Sequence, residues 1–133
     1  MSETKKKSIL QRALASVNKS EAAVQKEILT DRLEDFIQEA TEHVSDFTVG
    51  IIPTIEKNIV RAKREVAKAK KNRKGADLSF STISSYNGYV DHLNACDELV
   101  EHSQRELSTL ESKLSTAKAQ LVKIETTLET LQS

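Results

Sequence analysis

The chain has little of what turns, sheets and covalent cross-links require. It contains three glycines, one proline, one cysteine, no tryptophan and five other aromatics in 133 residues. Sheet folds need turn residues and β-branched or aromatic strands, so a β-sandwich or barrel is excluded on composition. The glycines lie far apart and form no phosphate-binding loop. A single cysteine, Cys96, cannot make an internal disulfide framework. No run approaches the 18 or so apolar residues of a membrane span. The stretch Met1 to Lys7 leads into only Ile9-Leu10 before polar residues resume, so the apolar run of a signal peptide is missing. These absences point to a cytoplasmic chain without a membrane partner.

What is present is helical. Leu, Ile, Val and Phe number 34, about a quarter of the chain, enough for a core. One domain spanning 1–133 is expected, all-α, with helices at about 8–48, 53–74 and 82–131. Ser8 with Gln11 has the capping-box spacing. Apolar residues then recur at Leu10, Leu14, Val17, Val24 and Ile28, and at Leu33, Phe36, Ile37, Ala40, Val44, Phe47 and Ile51, one helix face. Gly50 suits a C-terminal cap and Pro53 the first turn of a second helix. That helix turns Ile55, Ile59, Val60, Ala62, Val66 and Ala69 inward and ends at Gly75. Ser79 or Ser81 then caps the third. Leu78 to Ser81 alternates and Asn87-Gly88 is a hairpin dipeptide, but the helical pattern runs through both.

From Tyr86 a period of 3.5 holds for seven heptads, through Tyr89, Leu93, Cys96, Val100, Ser103, Leu107, Leu110, Leu114, Ala117, Leu121, Ile124, Leu128 and Leu131. Sustained heptads of this length are a coiled-coil signal. Folding at Gly50–Pro53 and again at Gly75 makes residues 30–103 an antiparallel three-helix body and leaves a protruding C-terminal coiled-coil segment, 104–133. Its seam of Leu107, Leu110, Leu114, Ala117, Leu121, Ile124, Leu128 and Leu131 is the expected protein-partner site. A parallel in-register homodimer would oppose Glu106 to Glu111 and Lys113 to Lys118, so an antiparallel, higher-order or heteromeric pairing fits better.

The net charge is zero, yet the signs are segregated. Residues 21–56 carry nine acids against Lys26 and Arg32, and residues 57–74 carry nine bases against Glu65. In an antiparallel hairpin Asp46 falls near Lys57, Glu42 near Arg61, Glu39 near Arg64 and Asp35 near Lys68. The cluster Lys68, Lys70, Lys71, Arg73 and Lys74 is least explained by such pairing. It is the candidate site for phosphate or an acidic partner, although aromatics to stack on bases are missing. His92 and Cys96 sit one helical turn apart, too few ligands for zinc. No nucleophile, base and orienting group assemble, so neither an enzyme nor a cofactor is expected. Long helices, few aromatics and balanced charge are similar, at the level of composition alone, to small assembly factors such as secretion chaperones, phage scaffolds and adaptors. The expected function is a helical interaction module acting in assembly or in inhibition of a target. The alternative is a nucleic-acid-binding accessory protein using helix 57–74.

Overall fold

The computed structural model describes residues 9–15 and 22–132. The expected cap at Ser8 lies outside them, as do Lys5 to Lys7 and Val17. The described residues are 93% helical, with no strands, and the chain is all-α. A short helical stretch covers 9–14. Three helices follow: α1 (Ala22–Ser45), α2 (Ile52–Ala76) and α3 (Tyr86–Leu131). None of the described helices is long and apolar enough to cross a membrane.

The expected break at Gly50–Pro53 is not there. Between α1 and α2 the backbone runs through a π-helical segment, Asp46–Ile51, flanked by Ser45 and Ile52 in ordinary right-handed helical conformation. The Ile52 N–H donates to the Phe47 carbonyl, five residues back. The cause lies in the spacing of apolar residues. Ile37, Ala40, Val44 and Phe47 keep one face, and the next buried residue is Ile52, whereas Ile51 is 42% exposed. One residue is in excess of an α-helical repeat. A π turn absorbs one extra residue and returns the stripe to its face. Proline inside an α-helix lacks a donor and crowds the carbonyl four residues earlier. At Pro53 the widened turn directly precedes the ring. Gly50 has no positive φ and caps nothing.

The chain divides into two compact units, one of Met1–Ile52 with Ala117–Ser133, the other of Pro53–Thr116. In the first, α1 packs with the last part of α3. Leu33, Ile52 and Ala117 are its buried apolar residues among those described. In the second, α2 packs antiparallel to the first part of α3. Ile59, Ala62, Val66, Ala69 and Ala76 are buried along α2, at successive spacings of three, four, three and seven residues. Arg73, on the same stripe, donates to Asp97 of α3 and to Asp77, 2.8 Å away. In the register that Arg73 and Asp97 set, Ser103 (9% exposed) falls between the buried Val66 and Ala69. Alanines every seventh residue, facing a serine and a cysteine at heptad positions, let two helices approach closely. The chain is thus an all-α body of three helices, two of them long, packing against each other.

The connection between α2 and α3 also differs from expectation. Helix α2 continues to Ala76, one residue past Gly75. Ser79 and Ser81 head and close a 3-10 turn, their hydroxyls donating to the carbonyls of Ala76 and Leu78. The α3 cap is Ser85. Its carbonyl accepts from Tyr89 N–H and its Oγ from Gly88 N–H, 3.0 Å each. Phe80 meets Tyr89 edge-to-face at 6.4 Å, and the Tyr89 hydroxyl donates to the Asp77 carbonyl. Asn87-Gly88 thus lies in the first turn of a helix.

A methyl group at Gly88 would sit 2.7 Å from Ser85 Oγ and 3.2 Å from Ile83, whereas one at Gly75 meets nothing. Gly75→Ala should raise stability by about 0.5–1 kcal/mol through helix propensity. Gly88→Ala should lower it by about 1 kcal/mol by displacing the cap. Thermal unfolding followed by circular dichroism reads both signs.

Candidate functional site

The residues of the expected seam are half-buried or buried. Leu107, Leu110 and Leu114 are half-buried in the second unit. Ala117 is 5% exposed, and Leu121, Ile124, Leu128 and Leu131 are half-buried in the first unit. The premise that nothing in the fold reaches these leucines rested on a turn at Gly50–Pro53. Without it, α1 extends beside the end of α3.

What the first unit leaves uncovered is a flank of α1. Apolar residues occur there in adjacent couples, Ile28-Leu29 and Phe36-Ile37. Leu29 and Ile37 are half-buried, while Ile28 is 42% and Phe36 55% exposed, and Val24, one turn before Ile28, is 62% exposed. An apolar sector two residues wide belongs to a helix with two neighbours. Phe36 and Ala40 with Ile124, Thr127 and Leu131 line an open groove of about 400 Å³, with Glu39, His43 and Lys123 along it. Sequence reading placed Val24, Ile28 and Phe36 on the buried stripe. The doubled apolar positions were the signal that separates core from flank.

A second groove, in the second unit, has a volume of about 500 Å³ and a charged lining, with Arg61 and Glu65 facing Arg105, Glu106 and Lys113. His102 Nε2 lies 3.0 Å from Glu106. No described side chain in either groove forms a catalytic constellation. Cys96 Sγ is 3.9 Å from His92 Nε2, and no group of three or more metal-ligating side chains occurs among the described residues.

The basic cluster splits in two. Arg73 is held by Asp77 and Asp97, and its guanidinium pKa is pushed above the ordinary arginine value, first by the bond to Asp77 and then by that to Asp97. It belongs to the fold. Lys68, Lys70, Lys71 and Lys74 are exposed and form no ion pair among the described residues. Asp35, Glu39, Glu42, Asp46, Lys57, Arg61 and Arg64 likewise form no ion pair among the described residues.

Two charged stripes are left instead, each on the outward face of its helix. On α1 and the first π residue, Asp35, Glu39, Glu42 and Asp46 follow one another at four, three and four residues. On α2, Lys57, Arg61, Arg64, Lys68 and Lys71 do the same at four, three, four and three. Like charges one helical turn apart each cost about 0.2–0.5 kcal/mol. A merely solvated face ordinarily mixes signs to avoid this. The four successive basic neighbours on α2 thus carry a cost on the order of 1–2 kcal/mol that an anionic partner would offset.

Leu114→Lys and Leu121→Lys should each lower stability by about 1–2 kcal/mol, because each leucine is already half-covered within its own unit. Unchanged denaturant midpoints would restore the free-seam reading. Compared with known families, with curated proteins and with solved structures, the chain matches none.

Proposed function

We propose that the protein is a non-enzymatic helical interaction module, of the chaperone, scaffold or adaptor type, that docks an amphipathic helix of a partner chain beside the α1–α3 pair. One observation carries this reading. The described residues include no fully buried large side chain, Phe36 stands 55% open on the Ala40–Ile124–Leu131 groove, and Ile28 and Val24 are exposed further along the same helix. Burying a side chain of this size gains about 1.5–3 kcal/mol, and a helix laid in a groove is the usual way to collect such gains. Glu39, His43 and Lys123 give the groove charges of both kinds, which orient a partner helix. The seam 107–131 contributes Ile124 and Leu131 to this surface and holds the fold with the rest. A reducing compartment suits a chain whose single thiol is half-buried, and we place its action in the cytoplasm.

Nucleic-acid binding by the basic face of α2 is the second reading, favoured by the exposed, unpaired Lys57–Lys71 stripe. Salt separates the two: helix docking survives about 0.5 M salt, while phosphate binding collapses.

A display library of amphipathic helices selected against the wild-type protein tests the groove. Phe36→Asp and Ile124→Asp should each weaken selected binders at least tenfold (about 1.4 kcal/mol). Val60→Asp, in the other unit, should leave them unchanged. Binders indifferent to all three substitutions would refute the docking site.

A further inference from the structure

We infer that the basic stripe of α2 receives the acidic stripe of α1 from a second copy of this chain. Both stripes are exposed, and neither makes an ion pair among the described residues. Read in opposite directions they match: Asp46, Glu42, Glu39 and Asp35 descend by four, three and four residues, and Lys57, Arg61, Arg64 and Lys68 ascend by the same steps. Two antiparallel helices therefore bring Asp46 to Lys57, Glu42 to Arg61, Glu39 to Arg64 and Asp35 to Lys68 of the other copy, four opposite-charge pairs in one register. A slip of one residue takes the charges off the shared face, so the pattern selects a register as well as a partner. The backbone from Ser45 through Asp46–Ile51 to Ile52 is helical.

Phosphate backbones are the rival occupant of the basic stripe. They would explain the bases and leave the acids, matched in number and spacing, without a role. No aromatic residue lies on α2 to stack on bases, and the chain as a whole is neutral. Made once, the contact links copies head to tail; made reciprocally, it closes a two-fold dimer. It shares Glu39 with the groove but not Phe36 or Ile124, so Arg61→Glu with Arg64→Glu, which leaves the groove untouched, separates the two.

Charge exchange tests it. Wild-type protein should sediment above monomer mass at low salt and return to monomer near about 0.5 M salt, where exposed charges are screened. Glu39→Lys with Glu42→Lys, and separately Arg61→Glu with Arg64→Glu, should each weaken association by about 100-fold or more while retaining wild-type helicity. Mixing the two double variants should restore it, because the reversed stripes complement each other. In a Cys96→Ser background, Glu42→Cys protein mixed with Arg61→Cys protein should oxidise to a covalent dimer, and Glu42→Cys mixed with Lys71→Cys should not. A monomeric wild type at low salt would overturn the proposal. So would variants that associate unchanged, or a short DNA duplex that binds the wild type and is lost with Arg61→Glu/Arg64→Glu while the protein stays monomeric.

Discussion

The architecture depends on one constraint, the phase of an apolar stripe. From Ile37 to Phe47 the inward residues keep an α-helical repeat, and from Ile52 to Ala76 they keep it again, but the step between Phe47 and Ile52 is one residue too long. A chain can meet such a step by breaking or by widening. Here it widens: six residues adopt π geometry, the Ile52 N–H reaches back to Phe47, and Pro53 follows. The backbone stays helical through this step, and within its own unit α1 packs with the last part of α3, as α2 does with the first part.

A pair of helices buries less than a bundle. In the second unit the deficit is met by close approach. Alanines at 62, 69 and 76 face the other helix, and Arg73 crosses the seam to Asp97 with its charge satisfied twice. In the first unit it is met only in part. Leu33 is buried, but Phe36 and Ile28 on the adjoining flank are open. The contrast between a pair closed by small residues and a pair left with large ones uncovered is the ground on which the docking surface is proposed at α1 and the end of α3.

Much of this was legible in the residues before any coordinates. Periodicity identified the helices, and composition excluded sheets. The heptads of Tyr86 to Leu131 are one uninterrupted helix, and Ile59, Ala62, Val66 and Ala69 are buried as their spacing implies. The misreading at Gly50–Pro53 has a local cause: glycine followed by proline three residues later is the usual signature of a helix end and a helix start, and the one-residue phase slip beside it was the contrary signal. Ser85 was passed over as a cap because Ser79, Ser81, Ser84 and Ser85 are equivalent by type. Only backbone geometry at Gly88 distinguishes them.

Sequence by itself therefore determined which residues are helical, which face of each helix is apolar and where the charges of each sign lie, because these depend on periodicities within one segment. Tertiary structure alone decided which helix covers which. That choice turns on whether a six-residue segment bends or continues, a small difference in local free energy with a large consequence for contacts distant along the chain. It placed Leu107 to Leu131 against the chain's own helices and drew Arg73 into the fold. It exposed Phe36, and it left the acids of α1 and the bases of α2 without the partners their spacing anticipates.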